Sequence, residues 1–255
     1  MGYDAATSMP RLTDHDTAEP LLSIIVPVYN EAGTIAAVLD RLHAVTLPLA
    51  REIIVVDDGS TDGTRGILES LGAALGVAVI NAGRNRGKGS AIRLGLAHAS
   101  GSIVAIQDAD LELDPADLAV LVQPIVDGVA SVVYGSRFLA GRPNAPWKTI
   151  AANRVLTGLT NLLYGASITD METCYKVMRA GVARSLDLES DRFDIEPEIT
   201  AKLFRRGHII LERPVRFDAR SRAAGKKIGW RDGVHAVAVL VKYRFWKGTT
   251  VAPNG

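Results

Sequence analysis

Apolar and polar positions follow two rhythms along this chain. Short unbroken runs rich in Val and Ile alternate with stretches whose apolar residues fall three and four apart. LLSIIVPVY (21–29) is such a run and predicts a buried strand. Asn30 then stands as the cap of a helix carrying Ile35, Val38, Leu39 and Leu42 on one face. EIIVVDD (52–58) predicts a second strand, 62–75 a helix capped by Asp62, and VAVIN (77–81) a third, shorter strand. GKGSAIRLGLAHA (87–99) reads as a loop entering a helix, and SIVAIQDAD (102–110) as a fourth strand. Asp114-Pro115 reads as a cap and first helical residue. VASVVYGSR (129–137) is a fifth strand.

Strands separated by helices imply right-handed βαβ units and a mostly parallel sheet. Ligands of such sheets bind outside the carboxyl ends of the strands. Here those ends read PVYNE (27–31), DDGS (57–60), DAD (108–110) and GSR (135–137), so polar residues gather along one edge. Beyond them, 147–164 predicts an amphipathic helix with Trp147, Ile150, Leu156, Leu159 and Leu163. CYKVMR (174–179) predicts a short strand, 195–207 a helix closed by Gly207, and 208–217 another strand. Residues 218–233 are basic and aperiodic, a loop. In 230–245, Trp230, Val234, Val237, Val241 and Phe245 share one helical face, and Arg231, His235 and Lys242 another. That helix either packs on the domain or lies on a membrane surface.

Composition narrows the class. A chain of 255 residues with 47% apolar content and a formal charge of +1 suits one large α/β domain. The near-neutral balance argues against bulk nucleic-acid binding. One cysteine, Cys174, rules out an internal disulfide and fits a cytoplasmic setting. Residues 1–20 have no basic start or apolar stretch and read as a flexible tail, as do 247–255. No window offers the ~20 apolar residues of a membrane span. The expectation is a soluble protein or one peripheral to a membrane.

The edge residues carry the candidate chemistry. In an extended segment Asp108, Asp110 and Glu112 would point to one side and repel without a cation or donors among them. Oxygen ligation of Mg²⁺ or Mn²⁺ would resolve that repulsion. Asp57 and Asp58 are either turn residues or acceptors for a base or ribose. GRNRGKGSA (83–91) is either a flexible turn or an anion loop, with Gly87, Lys88 and Gly89 offering N–H groups and a charge. Arg137 is a surface cation or a phosphate contact. Glu172 is a loop acid or a general base. Arg220, Arg222, Lys226 and Lys227 are a solvated loop or a site for an anion that comes and goes.

SIIVPVYNEAGTI, EIIVVDDGSTDGT, NRGKGSAIRLGL, IVAIQDADLELDP and VVYGSRF occur in the order found in family 2 glycosyltransferases. From about Leu21 to Trp246 the chain resembles that family, and within it the dolichol-phosphate-mannose-synthase group. The resemblance implies a GT-A fold over 21–246, with a nucleotide-sugar half (21–137) and an acceptor half (138–246). It implies that Pro27, Tyr29, Glu31, Asp58, Gly87, Lys88 and Asp108 surround the nucleotide sugar. It implies that Asp108 and Asp110, the DxD motif, hold Mg²⁺ or Mn²⁺ with Glu112, which stands where Gln is usual. It places Arg137 near the phosphates, and Arg220 and Arg222 at the acceptor, although SRAAGKK departs from the usual R-x-x-G-x-S-K. The implied reaction is inverting transfer of a hexose from GDP-mannose or UDP-glucose to a polyprenyl phosphate. The rival acceptor is a hydroxyl on a glycan, metabolite or protein, which would need Glu172 as base; a nucleotide-binding module without turnover is a further rival. A Rossmann oxidoreductase is excluded, since no glycine fingerprint follows the first strand.

Overall fold

The computed structural model describes residues 20–219 and 230–246. The predicted tails (1–19, 247–255) and the basic residues Arg220, Arg222, Lys226 and Lys227 lie outside the described residues.

The chain folds as β1 (Leu21–Val28), α1 (Ile35–Ala44), β2 (Ala50–Asp57), α2 (Thr64–Leu75), β3 (Ala78–Asn81), α3 (Lys88–His98) and β4 (Ile103–Ile106). A 3₁₀ turn (Pro115–Asp117) leads into α4 (Leu118–Val126) and β5 (Val132–Ser136). There follow α5 (Trp147–Tyr164), β6 (Lys176–Arg179), α6 (Ala180–Ser185), α7 (Ile195–Arg205), β7 (Leu211–Pro214) and α8 (Trp230–Arg244). The strands make one sheet in the order β3-β2-β1-β4-β6-β5-β7. All run parallel except β6, which is antiparallel to both β4 and β5.

The unbroken apolar runs became the sheet interior because both faces are covered. β1 is buried from Leu22 to Val28, and α1 packs with Ile35, Val38, Leu39 and Leu42, the four residues its period selects. The reversal of β6 has a functional effect. Its first residues lie at the edge where β1, β2 and β4 end, so the segment 165–175 reaches the same edge as Asp108.

Several expectations are corrected. Asn30 does not cap α1; it takes φ of 53°, and its carboxamide oxygen accepts from the Thr61 amide at 2.8 Å, tying two edge loops together. β4 ends at Ile106, not at 110, and Leu111 has φ of 62°. Residues 108–112 are therefore a turn, and their acids do not line one side of an extended strand. Trp147 is not part of the buried face of α5; it is 66% exposed, and Ile150 faces inward. α8 packs through Ala236, Leu240 and Tyr243, leaving Val234, Val237, Val241 and Phe245 outward. The apolar face expected in 230–245 is thus uncovered at Val234, Val237, Val241 and Phe245.

Asp114 caps as its sequence suggests: its carboxylate accepts from the Ala116 amide at 3.1 Å, with Pro115 next, and also meets Arg216. Asp114→Ala should cost about 1 kcal/mol of stability, measured by urea unfolding, with turnover retained in the folded variant.

Candidate active site

The edge is assembled by hydrogen bonds between loops distant in sequence. At the end of β1, Pro27 is buried, Tyr29 is half-buried, and the Glu31 amide donates to Thr64 Oγ1 at 2.9 Å. Thr34 Oγ1 donates to Glu31 Oε2 at 2.9 Å and contacts the Ala109 carbonyl at 2.7 Å, joining the first loop to the DAD turn. After β2, Asp58 accepts from the amides of Arg86 at 2.9 Å and Gly87 at 2.7 Å. Burial raises the Asp58 carboxyl above the usual range despite those two bonds.

The glycine loop does not offer its donors as an open anion cradle. The Arg86 and Gly87 amides serve Asp58, and the Ser90 amide donates to the Asp191 carbonyl. A Cβ on Gly87 or Gly89 would collide with the Asp191 or Ser190 carbonyl oxygen. These glycines admit the 190–192 backbone against the start of α3.

Lys88, the first residue of α3, turns inward. Its Nζ lies 2.7 Å from Asp108 Oδ1 and 2.9 Å from Glu196 Oε1. Glu196, in the first turn of α7, gives its other oxygen to Lys176 Nζ. Lys176 is fully buried and also donates to the carbonyls of Met171 and Thr173, under the Tyr134 ring at 4.8 Å. Burial alone would lower the Lys88 ammonium and raise the Asp108 carboxyl. Their mutual attraction overrides it, so Lys88 sits well above the ordinary lysine value and Asp108 below the usual carboxylate range.

Asp110 Oδ1 accepts from the Glu112 amide at 3.1 Å within the tight turn at Leu111. No three Asp, Glu, His or Cys side chains converge as a metal cage among the described residues. The carboxylates of Asp108 and Asp110 instead fit a hard divalent cation that completes its shell with water and substrate phosphate.

On the other side of the edge, Arg137 is held by Asp170. Nε donates to Oδ2 and Nη2 to Oδ1, both at 2.7 Å, and the guanidinium stacks 5.1 Å over Phe217. Asp170 is fully buried and also accepts from Asn153 Nδ2. Arg137 is therefore not the freely placed surface cation its position in GSR allowed. Glu172 lies between this pair and the Lys176 cluster. Burial first, then repulsion from Glu196, pushes its carboxyl up to about 7, against the pull of Lys176 and Arg137. Its Oε1 is buried without a hydrogen-bond partner.

Residues 23–186 match the family model of glycosyl transferase family 2. The chain belongs to that family. It is 29% identical over 212 residues to a dolichol-phosphate mannosyltransferase of Pyrococcus furiosus, covering 82% of this chain and 59% of the relative. It is 28% identical to a polyprenol monophosphomannose synthase of Mycolicibacterium smegmatis, covering 81% and 80%. This family 2 chain thus spans less than two thirds of the Pyrococcus relative. Among solved structures it resembles glucosyl-3-phosphoglycerate synthase from Mycobacterium tuberculosis in complex with Mn²⁺, UDP and phosphoglyceric acid. That likeness has a TM-score of 0.70 at 21% identity, over 89% of this chain and 79% of that one, and shows a shared GT-A fold.

Asp170, Lys176 and Glu196 escaped the sequence reading. Lys176 carried a usable signal, since a lysine inside the apolar run CYKVM must be buried with a counter-ion. Asp170→Asn leaves the Arg137 charge uncompensated. It should destabilise the fold by about 3–5 kcal/mol in denaturant unfolding, and adding Arg137→Met should recover part of the loss.

Proposed function

We propose that this family 2 glycosyltransferase moves a hexose from GDP-mannose or UDP-glucose to a polyprenyl phosphate at the cytoplasmic face of a membrane, with inversion. The observation that carries the lipid acceptor is the bare stripe on α8. Val234, Val237, Val241 and Phe245 are 56%, 37%, 47% and 77% exposed. The chain is pinned to the catalytic edge just before that helix: the Asp218 amide donates to the Glu112 carbonyl at 3.0 Å, and the Ala219 amide to Asn144. Residues 220–229 alone separate this anchor from α8. In this reading the apolar face of α8 receives the tail of the acceptor and the bilayer, while its phosphate reaches the edge. No described helix is long and apolar enough to cross a membrane, which makes α8 a surface-lying element in this reading. The names of the Pyrococcus and Mycolicibacterium relatives agree with a polyprenyl acceptor.

In this reading the loops at Pro27, Tyr29, Glu31 and Asp58 border the nucleotide, and Asp58 holds the 84–87 loop against it. Asp110, with Asp108 and Glu112, would hold Mg²⁺ or Mn²⁺. When bound, that ion supplies a Lewis acid that offsets charge on the departing diphosphate. A phosphate oxygen of the acceptor attacks the anomeric carbon as the bond to the diphosphate oxygen breaks. The acceptor phosphomonoester, with a second pKa near ~6, is already a dianion and needs no base. Arg137, its charge matched by Asp170, would offer N–H donors on the acceptor side, and Arg220 and Arg222 would add positive charge there.

The test uses anionic vesicles carrying polyprenyl phosphate, a panel of nucleotide sugars and Mn²⁺. The wild-type protein should float with the vesicles and form a glycosylated lipid. Val237→Asp with Val241→Asp should abolish flotation and transfer to the vesicle acceptor, while transfer to a short-chain acceptor in solution continues. A double variant that still floats and glycosylates the vesicle lipid at the wild-type rate would remove α8 from the mechanism. No lipid product from any donor would sink the acceptor assignment.

One observation favours a hydroxyl acceptor instead: Glu172, with its carboxyl near 7 and a bare buried oxygen, suits a general base. A base works as its carboxylate, so transfer to an alcohol should rise as pH climbs through about 7. Glu172→Gln should erase that limb and most of the turnover. With a phosphate acceptor the same variant should keep its rate and pH profile.

A further inference from the structure

The ion-pair chain Asp108–Lys88–Glu196–Lys176, buried at Glu196 and Lys176 and opening to solvent at Asp108, whose side chain is 28% exposed, does something beyond holding loops together. Taken alone, Lys88 at the start of α3 would neutralise Asp108 outright. Glu196 faces the same ammonium: Nζ stands 2.7 Å from Asp108 Oδ1 and 2.9 Å from Glu196 Oε1. The two contacts are not alike. Lys88 makes a directed ion pair with Asp108, whereas Glu196 Oε1 receives no aligned hydrogen bond. Glu196 cannot swing away, because its other oxygen is fixed by Lys176, whose own donors are spent on Met171, Thr173 and Glu196. It sits at the start of α7, whose buried residues Ile195, Ile199 and Leu203 lock the helix into the core.

We propose that Glu196 is a positioning residue for the donor-side acid: by sharing Lys88 with Asp108, it sets how much negative charge Asp108 presents to an incoming divalent cation. Glu196 touches no substrate in this scheme and acts through Lys88. Removing it hands the whole lysine charge to Asp108 and weakens cation capture. Removing Lys88 frees Asp108 and makes Glu196 irrelevant to its charge sharing. The inference rests on Asp108 and Asp110 as the cation site proposed above.

The test is a double-mutant cycle read by Mn²⁺ binding, with free Mn²⁺ followed by electron paramagnetic resonance and no donor present. Glu196→Gln should weaken Mn²⁺ binding about fivefold, a coupling of the size found within one ion-pair network. In a Lys88→Met background the same change should have less than about a twofold effect, as expected for a group that acts through the missing partner. Should Glu196→Gln alone fail to fold, leaving Lys176 buried without its counter-ion, Lys176→Met is added to every arm of the cycle. Equal weakening in both backgrounds would show a through-space field and overturn the role of Lys88. Unchanged binding in folded Glu196→Gln would overturn the proposal and leave the cation site standing. Absence of saturable Mn²⁺ binding by the wild-type protein would remove the cation site, and the proposal with it.

Discussion

The edge depends on one constraint: two lysines and two carboxylates share a space that is closed to water at Lys176 and Glu196 and opens to it at Asp108. Charges there persist only when matched. Asp108 leaves the end of β4, Lys88 opens α3, Lys176 begins β6 and Glu196 opens α7. Four elements far apart in sequence are thereby brought to one point with no net charge. Moving any of these elements would strand a charge in a poorly hydrated place, which is costly.

The same logic on a smaller scale joins the loops at the end of β5. Arg137 and Asp170 match each other in two parallel hydrogen bonds. Glu212 in turn accepts from the backbone amides of Thr169 and Asp170 and anchors the loop to β7. Between the two matched sets stands Glu172, which has no full match and keeps its proton more readily than an ordinary carboxyl. The enzyme family is legible in the order of loops along the sheet, whereas the 165–175 segment and its ion pairs follow no such local pattern. The mycobacterial structure that shares the fold was solved with phosphoglyceric acid, a small molecule, so the fold by itself does not select a lipid.

Much of the architecture was written locally. β1 and β2 are continuous apolar runs because both faces of a parallel sheet are covered, and α1 shows its buried face at a helical period. Asp114-Pro115 states a cap in two residues. The errors arose where the outcome depends on partners elsewhere. β4 reads as extending to Asp110, but the left-handed turn at Leu111 stops it, and alternation alone cannot reveal such a turn. In the glycine loop the partners Lys88 takes, Asp108 and Glu196, lie far along the chain, where no local pattern reveals them. α8 has the right apolar stripe, but its small inward residue Ala236 lets a different face approach α5 and α7.

The reversed strand β6 also has a mechanical meaning. β1 and β2 are zipped together along their whole length, from Leu21 beside Ala50 to Val28 beside Asp57. β6 meets β4 only from Ile103–Ala105 and β5 only from Val132–Tyr134. The sheet is therefore joined over eight residue pairs between its first two strands but over only three on each side of β6. A load applied across the sheet meets fewer backbone hydrogen bonds at β6 than between β1 and β2.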